Sequence, residues 1–283
     1  MPIAKNAFTT SAPIRRVRRA YRHGIRPAFQ DVTATIRSTL LRGIRSNTPD
    51  YLIVGVNKAG TTSLQEYLTG LPEVGKPLTK ELHYFDRFPT RSLEWYRAQF
   101  WGDSGLTWGE ATPEYFELPG AVLSLAEMSP RPKIIVCLRN PFARAVSHYH
   151  NAVDHASETR SIWHAFIQEA EALASGRRAK SAMELRNAYL QRSLYAEPLE
   201  RWRSSFGRDL LVVRVDKPQA MVQEVLHHLN LTQADLPRLP GSNSRSYAPP
   251  PPHLREAFEP LLRVQRERIV NAAGWSEWPV EWE

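Results

Sequence analysis

The length and composition of the chain place it among globular proteins and exclude several function classes. Its 283 residues are 42% hydrophobic and 10% aromatic, which is typical of a folded domain rather than a disordered chain. The single cysteine, Cys137, excludes an intramolecular disulfide and a CxxC metal site and favours a reducing compartment. Since the sequence has neither an apolar run of about 18 residues nor the apolar core of a signal peptide, we expect a cytoplasmic protein.

The positive charge of the chain is concentrated in residues 1–46, a segment we call the basic arm. The whole chain has 37 basic and 29 acidic residues, a net charge of +8. The arm holds ten of the basic residues against Asp31 alone, so the rest of the chain has 27 basic and 28 acidic residues, a balance of −1. A nucleic-acid-binding fold spreads basic charge over its body, and we therefore expect no nucleic-acid partner.

The basic arm has the pattern of an amphipathic helix. Apolar residues recur at helical spacing between its arginines, on both sides of Pro27. Such a helix can lie on an anionic membrane surface, or it can pack on its own domain with a solvated basic face. Both interpretations stay open, so peripheral membrane contact through residues 1–46 is one expectation.

From residue 47 onward the pattern becomes one of alternating strands and helices, and we expect residues 47–283 to form one domain. Amphipathic segments, such as LYAEPLERW (194–202) and a stretch from about 253 to 271, predict helices. Apolar runs predict buried strands at 51–56, 133–138 and 209–215, and TWGEAT (107–112) is the candidate for a fourth strand. The pattern is typical of an α/β protein with a P-loop-type, three-layer α/β/α fold and a central parallel β-sheet, preceded by the helical basic arm.

The first predicted strand leads into a glycine loop, GVNKAGTTS (55–63), which is followed by a helix. Gly55 and Gly60 have the spacing of a Walker A loop, but Thr61 replaces the lysine of that loop and a lysine occurs earlier, at Lys58. Backbone amides at the N-terminus of a helix favour an anion. The loop therefore predicts a site for an anion shorter than a triphosphate, without an obligatory metal.

A second candidate anion site follows the strand at 133–138. In RNPFARAVSHYH (139–150), Arg139 lies at the strand end and Ser147 about two helical turns later, a suitable clamp for a phosphate monoester. The carboxyl ends of parallel strands share one edge of the sheet. We therefore expect one ligand to reach both motifs.

Together the two motifs resemble those of the PAPS-dependent sulfotransferases, which use 3′-phosphoadenosine 5′-phosphosulfate (PAPS) and release 3′,5′-ADP. The loop is similar to that family's 5′-phosphosulfate loop, and R-N-P-x-x-R-x-x-S is similar to its 3′-phosphate motif. The resemblance implies a PAPS site without a metal. It assigns to the 5′-phosphosulfate Lys58, Ala59, Gly60, Thr61, Thr62 and Ser63, and to the 3′-phosphate Arg139 and Ser147.

Between the two motifs, KELHYFD (80–86) resembles the K-E-x-H-[FY]-F-D segment of the Golgi-type carbohydrate sulfotransferases, including the heparan sulfate enzymes. The resemblance implies that Glu81 is the base that takes the proton of the acceptor hydroxyl, with His83 as the alternative base. It also implies that Lys80 and Asp86 help these two residues to bind the acceptor. If this segment is extended, Glu81 and His83 share one face and Asp86 points away, so a local turn is needed to bring Asp86 in.

Two further segments bear on the acceptor and the nucleotide. GEATPEYF (109–116) resembles a strand-end motif of the family, but the heparan sulfate enzymes have a lysine at the position of Ala111, and some have an arginine at that of Thr62. A highly sulfated acceptor is therefore not expected. In the segment GSNSRSYAPPPP (241–252), the candidates for folding over the nucleotide are Ser244, Arg245 and Tyr247, and a plain surface loop is the alternative.

The resemblance implies a sulfotransferase that moves a sulfuryl group from PAPS to a hydroxyl of a carbohydrate, glycolipid or other small-molecule alcohol. In this in-line transfer Lys58 would act catalytically by stabilising charge on the leaving oxygen. Two alternatives stay open: a P-loop kinase that uses Mg-ATP, and a non-catalytic membrane-surface protein. The sequence does not indicate an oligomeric state.

Overall fold

A computed structural model of the chain describes residues 46–181, 183–232 and 250–282. The basic arm, apart from Ser46, lies outside these ranges, and so do Ser244, Arg245 and Tyr247. The predictions made for those residues stay predictions.

A five-stranded, all-parallel sheet forms the centre of the described fold. Its spatial order is β2-β3-β1-β4-β5. The strands are β1 (Tyr51–Gly55), β2 (Val74–Gly75), β3 (Thr107–Ala111), β4 (Lys133–Leu138) and β5 (Leu210–Arg214). The four longer strands confirm the four predicted strands, whereas β2, with two residues, is too short to produce a pattern in the sequence.

The described residues form nine α-helices, which flank the sheet in a three-layer α/β/α arrangement. They are α1 (Thr61–Leu68), α2 (Leu93–Arg97), α3 (Pro119–Ala126), α4 (Pro141–Asp154), α5 (Ile162–Ala174), α6 (Ala196–Phe206), α7 (Pro218–Leu229), α8 (Pro252–Arg263) and α9 (Arg266–Ala273). The predicted fold class is confirmed.

One helix prediction needs a correction, because the stretch from 253 to 271 forms two helices, α8 and α9, rather than one. The break lies at Gln265, a buried residue whose side-chain amide forms hydrogen bonds with another part of the chain. Its Oε1 accepts a hydrogen bond from the Ala196 backbone N–H at 3.1 Å, and its Nε2 donates to the Ser193 carbonyl at 3.1 Å. These contacts hold Gln265 against the start of α6.

The apolar runs become strands because both faces of the sheet are covered. Ile53 in β1, Ile135 in β4 and their immediate neighbours in these strands have no exposed surface. A parallel sheet between two helical layers needs apolar residues at consecutive positions, and the three central strands β3, β1 and β4 are the most enclosed part of it. Their carboxyl ends are therefore held in fixed positions relative to one another.

A second apolar cluster, formed by residues of α4, α5 and α8, lies beside the main core. The Glu169 carboxylate of α5 fastens the chain segment 189–191 to this cluster by accepting hydrogen bonds from the backbone N–H groups of Tyr189, Leu190 and Gln191, at 2.7, 2.9 and 2.8 Å. Since α4 packs in the same cluster, this anchoring also fixes the helix that carries Ser147.

Helix α3 provides a matched test of the core. Leu125 has no exposed surface, whereas Leu123, two residues earlier on the same helix, is 64% exposed. We expect Leu125→Ala to lower the free energy of unfolding by about 2–5 kcal/mol, because it leaves a cavity. Leu123→Ala should change it by less than about 0.5 kcal/mol. Urea denaturation measures both values, and equal effects of the two substitutions would contradict the packing of α3 described above.

Candidate functional site

The two predicted anion motifs lie side by side at the carboxyl edge of the sheet. β1 and β4 are neighbouring parallel strands, and the Val56 N–H donates to the Cys137 carbonyl at 2.9 Å just beyond the last strand pairs. Farther out, Arg139 Nη1 donates to the Lys58 carbonyl at 3.4 Å. The arginine of the second motif therefore contacts the backbone of the glycine loop.

The glycine loop ends at Gly60, which is the N-cap residue of α1 and has a left-handed backbone with φ 75°. A Cβ atom at this position would lie 2.6 Å from Val215 Cγ2, closer than packed atoms approach. Gly60 has no side chain that could cap the first turn of α1. The amides of this turn lie at the positive end of the helix, where an anion is favoured.

Two lysines lie at this site, one within the loop and one beside the first turn of α1. Lys58, itself left-handed with φ 72°, places its Nζ 3.3 Å from Asn151 Oδ1 on α4. Lys80 donates from Nζ to Thr62 Oγ1 at 2.5 Å and lies 3.7 Å from Glu81 Oε1. Lys80 therefore connects the KELHYFD segment to the start of α1.

The segment 80–86 is not extended, so Asp86 does not point away from Glu81 and His83 as it would in an extended segment. Glu81 and His83 both have left-handed backbones, with φ of 57° and 56°. A turn then brings Asp86 back, so that its Oδ2 lies 2.9 Å from His83 Nδ1. The other ring nitrogen, His83 Nε2, lies 3.9 Å from Glu81 Oε2. With Lys80 3.7 Å from Glu81, all four acidic and basic groups of the predicted acceptor site are thus brought together.

Contacts with the end of β3 hold this unusual backbone. The Leu82 N–H donates to Glu110 Oε2 at 3.2 Å and the His83 N–H donates to Thr112 Oγ1 at 3.4 Å, while the Leu82 side chain is buried in an aromatic cluster. Left-handed conformations of residues other than glycine cost free energy and occur most often at functional sites. The surrounding contacts therefore determine the shape of this segment.

Glu110 is a site residue that the sequence analysis missed. Its side chain is fully buried and also accepts hydrogen bonds from Thr112 Oγ1 at 2.7 Å, Tyr96 OH at 2.9 Å and Tyr115 OH at 3.2 Å. Burial raises the pKa of Glu110, against the opposing effect of these hydrogen bonds. An acidic residue inside an otherwise buried strand is the feature of the sequence that indicates this role.

The charges around His83 favour its protonated form. Burial lowers the pKa of His83, but the hydrogen bond to Asp86 and the negative charges of Glu114 and Asp86 raise it more, and the net pKa lies above its ordinary value. Nδ1–H therefore donates to the buried Asp86 carboxylate, which fixes the ring and directs Nε2 toward Glu81.

The second motif begins helix α4. Asn140 caps the helix, since its Oδ1 accepts from the Ala143 N–H at 2.9 Å, and Pro141 occupies the first helical position. Arg139 is half-buried beside the loop, and Ser147 lies on the buried side of α4. The structure thus places Arg139 directly against the loop and Ser147 deeper along the helix.

Arg144, the second arginine of this motif, stabilises the fold around α4. It is fully buried, donates from Nε to Ser193 Oγ at 2.8 Å and also donates to the Tyr189 carbonyl. Its Nη1 lies 3.4 Å from His148 Nδ1, whose other ring nitrogen contacts the Arg186 carbonyl. Burial lowers the pKa of Arg144 to about 10. Arg144 therefore ties α4 to the segment 186–193.

Two searches of the described residues were negative. No group of three or more His, Cys, Asp or Glu side chains in that part of the chain is arranged to hold a metal ion. No helix there is long and apolar enough to cross a membrane.

Two glycine substitutions test the loop geometry. We expect Gly60→Ala to lower the free energy of unfolding by about 1–3 kcal/mol, because the new methyl group meets Val215 and the left-handed backbone disfavours alanine. Gly120→Ala is the control, since nothing lies within 4 Å of its added Cβ on α3, and it should be neutral or stabilising by up to about 1 kcal/mol. Urea denaturation compares them, and a Gly60→Ala variant as stable as Gly120→Ala would contradict the described loop.

Comparison with known proteins gives consistent matches. The family model described as "Sulfotransferase domain" matches residues 48–210, more than half of the chain. Human heparan sulfate glucosamine 3-O-sulfotransferase 6 is 44% identical over 107 residues, which are 37% of this chain and 31% of that protein. Human heparan sulfate glucosamine 3-O-sulfotransferase 3B1 is 30% identical over 190 residues, 66% of this chain and 46% of that protein. The chain therefore spans less than half the length of these curated relatives.

A solved structure extends the similarity to most of the chain. The crystal structure of a sulfotransferase from Alicyclobacillus acidocaldarius matches with a TM-score of 0.69 and 25% sequence identity. The match covers 83% of this chain and 99% of that one.

Proposed function

We propose the function of this chain from the fact that it belongs to the sulfotransferase domain family. The proposed reaction transfers a sulfuryl group from PAPS to a hydroxyl group of a carbohydrate and releases 3′,5′-ADP. The observation that carries this proposal is the contact between the two anion motifs, in which Arg139 donates to the backbone of Lys58 at the ends of adjacent strands.

The residues at the strand ends fit PAPS, which supplies the sulfuryl group when bound. At the loop, Gly60 allows the left-handed cap that begins α1, and the first turn of α1 provides backbone amides for an anion. The proposed 5′-phosphosulfate site comprises Lys58, Ala59, Gly60, Thr61, Thr62 and Ser63. Arg139 and Ser147 would hold the 3′-phosphate, where a guanidinium and a hydroxyl suit a phosphate monoester. Thr61 is the first residue of α1 and would contribute its backbone amide.

The same loop argues against the kinase alternative. A Walker A lysine follows the last glycine and reaches the β- and γ-phosphates, but the residue at this position is Thr61, which is only 5% exposed. Lys58 instead lies in the middle of the loop and contacts Asn151. This arrangement suits a diphosphate-sized donor with a separate 3′-phosphate better than Mg-ATP.

We assign the role of base to Glu81. His83 is tied through Nδ1 to the buried Asp86, and its pKa lies above the ordinary value, so the charges around it favour the protonated ring, which cannot act as a base. Glu81 is one-third exposed, next to both Lys80 and His83, where an acceptor hydroxyl can reach it. Positioned proton removal of this kind contributes about 10²- to 10⁴-fold to the rate.

The proposed acceptor is a carbohydrate that is not heavily sulfated. Two positions beside the site, Thr62 and Ala111, are uncharged, and Ala111 is buried in β3. Lys80 is partly neutralised by its contact with Glu81. Fewer fixed cations near Glu81 mean weaker attraction for a polyanion. A cytoplasmic location, and peripheral membrane contact through residues 1–46, remain predictions, and so does the non-catalytic alternative.

The test of the proposed function is a transfer assay with ³⁵S-labelled PAPS and a panel of neutral, N-sulfated and fully sulfated oligosaccharides. We expect transfer to the less charged members, and we expect Glu81→Gln to lower kcat by about 10²- to 10⁴-fold with unchanged affinity for 3′,5′-ADP. Glu171→Gln, an exposed carboxylate on α5, is the control and should keep full activity.

Two results would contradict this assignment. Transfer to none of the acceptors by the wild-type chain would leave the proposed function without support. A Glu81→Gln variant that keeps its kcat while His83→Gln loses it would show that His83, not Glu81, is the base.

A further inference from the structure

The short turn Val280–Trp282, which we call the Trp282 turn, has no role in the proposed reaction. Trp282 is only 2% exposed, although Val280 in the same turn is 72% exposed. The rings of Trp275 and Trp278 pack against the Trp282 ring edge to face, with centroids at 5.7 and 5.3 Å. One buried side chain therefore anchors this turn in the main core.

Trp282 lies between the ends of β4 and β5. These neighbouring strands stay together up to Leu138, whose carbonyl accepts a hydrogen bond from the Val215 N–H at 3.0 Å. Beyond this point the two chain segments enter α4 and α7. The Trp282 carbonyl accepts from Asn140 Nδ2 at 3.1 Å, and its indole Nε1 donates to Asp216 Oδ1 at 3.0 Å. Trp282 thus joins the residues that follow the two strands.

The contact with Asn140 bears on the second anion motif. Asn140 directly follows Arg139, the residue proposed for the 3′-phosphate, and its Oδ1 already caps α4. The Arg139 carbonyl accepts from Tyr195 OH at 3.0 Å. The backbone around Arg139 is therefore held by Tyr195 on α4's neighbouring segment and by Trp282 through Asn140.

Charged side chains fasten the turn that follows β5 to the Trp282 turn. The Arg214 guanidinium lies 5.6 Å from the centre of the Trp282 ring, and its Nη2 lies 2.7 Å from Glu281 Oε2. Lys217 also contacts Glu281. Because the Glu281 side chain is 48% exposed, these ion pairs contribute little. The buried ring and its hydrogen bond to Asp216 account for most of the attachment.

Val215 connects this attachment to the glycine loop. It lies between Arg214 and Asp216 in the chain, and a Cβ atom on Gly60 would lie 2.6 Å from Val215 Cγ2. The Val215 side chain therefore packs directly against Gly60, the residue that begins α1 and its backbone amides. A displacement of Val215 would change the position of those amides.

We infer that Trp282 is a positioning residue of the donor site. By joining Asn140 to Asp216, it holds Arg139 and Val215, and through them the two anion motifs, at a fixed separation. That PAPS is the ligand of this site rests on the proposed function, whereas the coupling of Trp282 to the loop does not.

The first test is calorimetric binding of 3′,5′-ADP to Trp282→Phe, which keeps an aromatic ring but removes the indole N–H that reaches Asp216. We expect about three- to tenfold weaker binding, in line with the loss of one hydrogen bond. Trp108→Phe is the matched control. Trp108 is 3% exposed and donates from Nε1 to the Asp103 carbonyl at 3.0 Å, but it lies at the amino end of β3, away from the donor site. Its substitution should leave the affinity unchanged.

Asp216 provides a second variant if Trp282→Phe does not fold. Its side chain is 28% exposed, and Asp216→Ala removes the same hydrogen bond from the other partner. We expect a similar loss of affinity, and no further loss when the two substitutions are combined, because both remove one interaction. Asp216→Asn keeps an oxygen for the indole N–H and should bind 3′,5′-ADP like the wild type.

Kinetics separate positioning from a general loss of stability. The strands β1 and β4 lie between β5 and β3, and the end of β3 holds the acceptor segment at Leu82. We therefore expect Trp282→Phe to raise the KM for PAPS and to leave the KM for the acceptor unchanged. Hydrogen exchange without nucleotide should also be faster for a peptide covering residues 56–63 in Trp282→Phe than in Trp108→Phe.

Wild-type affinity for 3′,5′-ADP in a folded Trp282→Phe variant would overturn the inference, and so would an equal loss of affinity in Trp108→Phe. Faster exchange of the loop in Trp282→Phe, together with a wild-type chain that does not bind 3′,5′-ADP, would instead support the role of Trp282 and count against the proposed function. The two failures are therefore distinguishable.

Discussion

The parallel pairing of β1 with β4 is the constraint on which the whole site depends. Ile53 pairs with Ile135, and the pairing ends near Gly55 and Val136. Each strand then continues directly into an anion motif, and both strands are buried by helices on either side. Neither motif can move relative to the other without breaking the centre of the core, so a ligand held by both meets a preformed site.

The acceptor side is built differently, from a segment without regular structure. Glu81 and His83 adopt left-handed backbones, and their position depends on polar groups at the end of β3, chiefly Glu110 and Thr112. The free-energy cost of this backbone conformation is offset by buried hydrogen bonds and by the burial of Leu82. The result is a cluster in which the carboxylates of Glu81 and Asp86 lie on either side of His83. Lys80 lies beside this cluster and contacts Thr62 at the start of α1.

The sequence predicts the parts of this architecture that depend on local patterns. Continuous apolar runs predicted β1, β4 and β5, and the spacing of Gly60 before a helix predicted the loop. The bend at Glu81 and His83 was not predictable, because it follows from the contact of Leu82 with Glu110, which is 28 residues away in the chain and which no local pattern encodes. For the same reason the break between α8 and α9 was missed, since it depends on Gln265 binding the start of α6. The role of Glu110 likewise emerges only when β3 is placed beside Leu82.

The most direct test of the central claim, that the two motifs form one site for a 3′-phosphorylated nucleotide, is calorimetric binding of 3′,5′-ADP, ADP and Mg-ATP. We expect 3′,5′-ADP to bind most tightly and Arg139→Ala to weaken its binding by at least about tenfold. Arg208→Ala is the control, since Arg208 is exposed and precedes β5 at the opposite edge of the sheet, and it should not change binding. Tighter binding of Mg-ATP, or an Arg139→Ala variant with unchanged affinity for 3′,5′-ADP, would contradict the account.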